Sequence, residues 1–177
     1  MPPLSRRFPT RRPRKPADPD AATNPAKLHA AAIALLARRD YAAGELRQKL
    51  ERQGFDKTLT EQLITDLQDE GLLNDARYAE HYVAYHAARG EGPLRIRADL
   101  ESMNLPAELL QAALDAGPDW KDRAKEVRTR RFGVEMPKTW PDKAKQGRFL
   151  QYRGFSSDHI RAALDDDLGP DFEPDAD

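Results

Sequence analysis

Between Trp120 and Arg161 the chain carries twelve basic residues against five acidic ones. The basic ones are Lys121, Arg123, Lys125, Arg128, Arg130, Arg131, Lys138, Lys143, Lys145, Arg148, Arg153 and Arg161. On a helix that turns about 100° per residue, Lys121, Lys125 and Arg128 share one stripe, and Trp120, Ala124 and Val127 form the neighbouring apolar face. Such a stripe suits a phosphate backbone or an acidic protein groove, although the same residues also serve simply to solvate a helix. Contact with phosphates would give salt-dependent, largely sequence-independent affinity. The residues selected as partner or DNA contacts are Lys121, Lys125, Arg128, Arg131, Lys143, Lys145, Arg148 and Arg153. Arg38 and Arg39 join them, and equally suit the C-terminal dipole of the helix they follow. Tyr78, Tyr82 and Tyr85 stand at helical spacing, which favours core packing over a platform for stacked bases.

Residues for catalysis do not assemble in the same way. His81 and His86 are five apart and fall on different helix faces, unlike a zinc-binding i, i+4 pair. His29 and His159 stand alone, and the acidic pair Asp69-Glu70 has no base beside it. There is no GxxxxGK[ST] loop and no GxGxxG; Gly90 and Gly92 read as a helix stop and a turn. The chain has no cysteine, which removes disulfides, thiol chemistry and Cys-ligated zinc and fits a reducing cytoplasm. The expectation is no catalytic residue, no cofactor, no metal site and no enzyme. No apolar run approaches the roughly 20 residues of a membrane span, and no secretory h-region is present, so a cytoplasmic protein without membrane contact is expected. The Arg-rich start loosely resembles a transit peptide, but its prolines oppose the amphipathic helix that such a peptide needs.

The elements that carry these residues repeat. Leu50, Leu100 and Leu150 align at a spacing of fifty, as do Gly54, Asn104 and Gly154, and then Phe55, Leu105 and Phe155. Each set reads as a helix, a left-handed stop and a large apolar residue after it. Asn24-Pro25 opens a helix with Leu28, Ala32, Leu35 and Leu36 inward. Helices follow over about 43–53 and 58–70, the second of them closed by Gly71. A second set starts at Asn74-Asp75, continues from Pro93 and from Pro106, and closes at Gly117. A third starts at Asp119, has a longer connection from Val134 to Thr139, resumes at Pro141, and ends in a helix capped by Ser156 or Ser157. No segment alternates like a strand.

The predicted fold is all-α, with three tandem three-helix repeats in an elongated, curved body: 24–73, 74–118 and a basic 119–168. Units of about 45 residues are marginal alone and should stack. The net charge of −1 conceals opposed ends. Residues 1–23 form a basic, proline-rich arm and 169–177 an acidic tail, both expected to be disordered.

Leu35-Leu36-Ala37-Arg38-Arg39-Asp40-Tyr41, with Glu45-Leu46, Lys49-Leu50 and Gly54-Phe55, resembles the first repeat of the RecX family, bacterial regulators of RecA recombinase. Gly71-Leu72-Leu73-Asn74-Asp75 with Tyr78-Ala79 is similar to the family's joint between first and second repeats, and Phe149-Leu150-Gln151-Tyr152-Arg153-Gly154-Phe155-Ser156 to its third-repeat signature. The resemblance covers about residues 27–165. It implies a regulatory protein that lodges in the helical groove of RecA–DNA filaments and inhibits ATPase, strand exchange and LexA coprotease activity. It would do so by blocking filament extension or promoting disassembly. The expected partners are the RecA filament and, more weakly, single- or double-stranded DNA, and the expected state is a monomer. A sequence-independent DNA binder that acts by competition, or a helical adaptor for another partner, remains the alternative. One departure stands out: Ala42 replaces the family's frequent hydroxyl after the tyrosine, so the capping box is lost and the next helix is expected to fray at its start.

Overall fold

The computed structural model describes residues 22–164, so residues 1–21 of the basic arm, residues 165–168 at the end of the expected third repeat and the acidic tail 169–177 lie outside the described residues. Among the described residues there are nine helices and no strand. They are α1 (Pro25–Leu36), α2 (Ala43–Gln53), α3 (Lys57–Asp69), α4 (Asp75–Ala88), α5 (Pro93–Ser102), α6 (Ala107–Asp115), α7 (Trp120–Phe132), α8 (Trp140–Tyr152) and α9 (Ser157–Ala163).

Local chemistry sets the starts. The Asn24 side chain accepts from the Lys27 N–H at 3.1 Å, ahead of Pro25 in the first turn. Asp56, Asn74, Asp119, Thr139 and Ser156 cap α3, α4, α7, α8 and α9 in the same manner. Each such cap contributes about 1 kcal/mol relative to alanine.

The fifty-residue echo is a stop motif used three times. Gly54, Asn104 and Gly154 have φ of 100°, 59° and 90°. After each, the N–H of Phe55, Leu105 and Phe155 returns to the carbonyl of Leu50, Leu100 and Leu150 at 3.3, 3.5 and 3.1 Å. The aligned leucines are fully buried. This six-to-one closure with an apolar residue behind it satisfies carbonyls that a helix end leaves orphaned.

Three cores result. Leu28, Leu46, Leu50, Ile64 and Leu67 fill the first bundle. Val83, Ile96, Leu100, Leu110 and Leu114 fill the second. The third is built on Ala124, Leu150, Phe155, Ile160 and Leu164.

The bundles meet through their second helices, which follow one another head to tail. The start of α5 abuts the stop of α8: the Gly92 and Leu94 N–H groups donate to the carbonyls of Arg153 and Gly154 at 2.7 and 3.0 Å. A side chain at Gly92 would fall on the Gly154 carbonyl. The start of α2 abuts the stop of α5, where a Cβ at Gly44 would come within 2.5 Å of the Met103 carbonyl oxygen. Ala42 offers no side-chain acceptor to α2, but the expected fraying is countered from the next bundle. The Asp75 carboxylate, at the start of α4, accepts from the Ala43 N–H at 2.8 Å, and Ala42 is fully buried in the second core.

Candidate nucleic-acid and partner interface

Helix α7 carries the basic run, and its two ends differ. Lys121 and Lys125 project near its start, where Lys125 pairs with Asp122 at 3.1 Å. Asp119 is the N-cap there, and its carboxyl is held below the usual range, first by the backbone hydrogen bond from Asp122 and less by Lys125 and Lys121. The positive pole of the helix adds to the lysines but is balanced by these acids. Roughly 15 Å further along, at 1.5 Å per residue, Arg130 and Arg131 leave the last turn with no carboxylate partner among the described residues.

Arg128 does not complete the stripe with Lys121 and Lys125. It is 4% exposed and turned inward, donating to the Glu135 carbonyl at 3.1 Å and to the Gln146 side chain at 3.4 Å, while its Nε is buried without a partner. The reason is geometric: Arg128 stands one turn after Ala124, on the edge of the buried face, and the long connection before α8 folds across it. Counted from the N-caps Asn74 and Asp119, Arg128 takes the position that Val83 takes in α4. Gln146 takes that of Leu46 and Ile96, both fully buried. The third bundle has thus replaced two apolar core positions by a mutually bonded polar pair. A buried guanidinium without a carboxylate keeps its charge uncompensated.

Lys145 and Arg148 are exposed on α8 and have no carboxylate partner among the described residues; Lys143 on the same helix is half-buried. Arg153 caps α8 and lies over the Phe149 ring at 5.4 Å. Arg131 lies over Phe132 at 5.7 Å. The structure joins these two with Arg130 and with Arg89, the C-cap of α4, around a cavity of about 120 Å³ floored by Gly90, Val127 and Phe149. Arg130 belongs to the basic run but not to the contacts expected from the sequence, and Arg89, in another repeat, carries no sequence signal for this site.

Arg38 is exposed after α1. Arg39 is committed to a fork on Glu45, with one arm at 3.0 Å, and stacks on Tyr41 at 3.8 Å; the bond to Glu45 pushes its guanidinium further up. It reads as a clamp at the first joint. The tyrosines divide: Tyr78 is buried, Tyr82 is half-buried, and Tyr85 is 60% exposed with its hydroxyl accepting from Arg89 at 3.1 Å. Burial pushes the Tyr78 and Tyr82 hydroxyls up, which suits structural donors. Tyr82 donates to Asp99 at 3.3 Å.

His86, Glu91 and Asp99 bring ligand atoms within 4.8 Å of one another. Glu91 is shared there by His86 at 3.0 Å and Arg95 at 3.5 Å, so its charge is already balanced. His81 lies apart, 3.8 Å from Asp40. No helix of the described residues is long and apolar enough to cross a membrane.

Three family models match in chain order: the first three-helix domain of RecX over residues 29–67, the second over 74–114 and the third over 119–164. The chain belongs to the RecX family. It is 40% identical over 146 residues to the regulatory protein RecX of Halorhodospira halophila, covering 79% of this chain and 91% of that one. The RecX of Ectopseudomonas mendocina is 41% identical over 142 residues, covering 80% and 95%. The crystal structure of RecX from Lactobacillus salivarius superposes with a TM-score of 0.69 at 22% identity, over 80% of this chain and 95% of that one. The three-helix repeats and the regulatory family expected from the sequence are therefore both found.

Proposed function

We propose that the protein binds RecA–DNA filaments in their helical groove and lowers RecA ATPase, strand exchange and LexA coprotease activity by blocking filament extension or promoting disassembly. The observation that carries this reading is the match of all three RecX domains in order across the described bundles. The structure adds physical support. Bundles linked head to tail form a body that can follow a groove, and its third bundle holds arginines and lysines without carboxylate partners. Lys121, Lys145, Arg148, Arg131 and Arg153 are the contacts this favours. Arg128 acts from within, by charge and by shape.

The test is RecA ATPase on single-stranded DNA with increasing amounts of the protein. A dose-dependent fall is expected, and no change at any ratio would remove the reading. A second reading, competition for DNA alone, draws on the same unpaired charges. It requires equal affinity and equal salt slope on bare DNA and on preformed filaments.

A further inference from the structure

Arg89, Arg130, Arg131 and Arg153 come from three helices of two bundles and surround one small cavity. Their obvious structural use is to neutralise helix C-termini, since Arg89 caps α4, Arg130 and Arg131 end α7, and Arg153 caps α8. Three such termini supply about −1.5 charges in all, against four guanidiniums. Two of the termini are also served by other groups. The Ala87 and Ala88 carbonyls of α4 accept from Arg123, both at 2.7 Å, and those of Arg153 and Gly154 accept from the start of α5. Two of the nearest acids are occupied as well, Glu91 by His86 and Arg95 and Glu126 by Arg123. An excess of positive charge remains at the cavity mouth.

Three of the four guanidiniums are held in place. Arg89 lies 5.5 Å from the Tyr85 ring, Arg131 lies over Phe132, and Arg153 over Phe149. Arginines parked on aromatic faces lose little freedom when they receive an anion. A backbone phosphodiester, like a carboxylate, presents two free oxygens and one charge and takes a bidentate guanidinium fork, so the anion alone does not set the ligand class. Tyr85, exposed and bonded to Arg89, adds an open ring on which an unstacked base can lie; in a duplex the bases are not free to do so.

We infer that this cavity is the receptor for a backbone phosphate of single-stranded DNA, and that filling it ties the second and third bundles together. The inference rests on the DNA contact of the proposed function and gives it a place. Arg153 links the two effects, because its side chain lines the cavity while its carbonyl accepts from Gly92 across the joint.

The experiment compares the full chain with Arg89→Gln/Arg130→Gln, two exposed positions, and with a charge-matched control, Lys57→Gln/Arg77→Gln. Fluorescent oligothymidylate is titrated across salt, and exchange of the Gly92 and Leu94 amides is followed with and without saturating oligonucleotide. The pocket variant should lose about 0.7 from the salt slope for each phosphate contact removed, while the control keeps the wild-type slope. The two amides should exchange several-fold more slowly with oligonucleotide in the wild type and lose that protection in the pocket variant. An unchanged slope in the pocket variant overturns the inference. So does equal amide protection by a polyglutamate peptide, which would assign the cavity to an acidic protein, or by pyrophosphate when oligothymidylate gives none. Failure of the filament reading shows separately, as an unaltered RecA ATPase in the presence of wild-type protein.

Discussion

The two joints between bundles share a plan and differ in what holds them. At the first, α2 meets the stop of α5 with its bond made by a side chain: the Asp75 carboxylate accepts from the Ala43 N–H at 2.8 Å, and Ala42 is buried in the second core. At the second, α5 meets the stop of α8 through its main chain, with Gly92 and Leu94 donating directly to Arg153 and Gly154. Arg123 adds a side-chain clamp on the end of α4. Both joints are too close for a Cβ, at Gly44 and at Gly92, but only the second ties the two backbones by direct main-chain bonds, which leave little freedom for adjustment. A side-chain joint tolerates small shifts. The second joint is therefore the stiffer of the two, and it is the one that carries the arginine cavity.

The comparison breaks most sharply at the glycines. Gly92→Ala places its Cβ on the Gly154 carbonyl and should separate the backbones, at a cost of roughly 3 kcal/mol in denaturant unfolding. Gly44→Ala meets the Met103 carbonyl oxygen at 2.5 Å and the Asn104 Cβ at 3.0 Å, less close than the three backbone atoms at Gly92, and should cost less, about 1–2 kcal/mol. If Gly44→Ala proves the more damaging, the ranking of the joints is reversed. The clamps come next. Arg123→Ala leaves two α4 carbonyls without their charged donor and should destabilise by about 2 kcal/mol. Asp75→Ala removes a cap from α2 and should cost about 1 kcal/mol, with exchange accelerated at Ala43 and unchanged at Leu94. Faster exchange at Leu94 in that variant would show that the joints are not independent.

The repeat was legible because the residues that make it have side-chain or dihedral signatures. Leu50, Gly54 and Phe55 and their counterparts spell a helix stop wherever they occur. What escaped has no local signature. Gly92 reads as a turn until the approach of Gly154 shows why a Cβ is forbidden. Asp75 reads as part of the α4 start, yet its carboxylate serves Ala43 in the preceding bundle. Arg89 reads as a helix end, and only the packing of α4 against the third bundle brings it to Arg130 and Arg153. Arg128 misleads in the opposite sense. Charge and helical angle put it beside Lys121 and Lys125, but the connection after α7 covers it and Gln146 receives it. The loss of Leu46 and Ile96 at position 146 was visible in the sequence; its partner at position 128 could be recognised only once the two side chains met.

The smallest effect concerns His159, which lines a cavity at the second joint together with Pro93, Leu94 and Trp120. It is also the third residue of α9, where its Nδ1 accepts from the Ser156 N–H at 3.3 Å, and only a neutral ring can do so. Burial pushes its pKa down, and Lys121 adds to this, while Asp158 and Asp119 pull the other way. The unfolded chain therefore binds the proton more readily than the folded one. This contribution to stability is fully present above the ordinary histidine value of about 6.5 and is lost as pH falls below it toward the lower folded value. His159→Gln keeps an acceptor at the capping-box position but does not titrate. Unfolding midpoints of wild type and His159→Gln should differ little at neutral pH, and the wild type should lose more as the pH is taken below 6. Hydrogen exchange should localise that loss to α9 and the start of α5 and leave Ala43 untouched, because no group at the first joint faces His159. A parallel acid response in both proteins would mean that the stiffness of the second joint does not depend on the charge state of this ring.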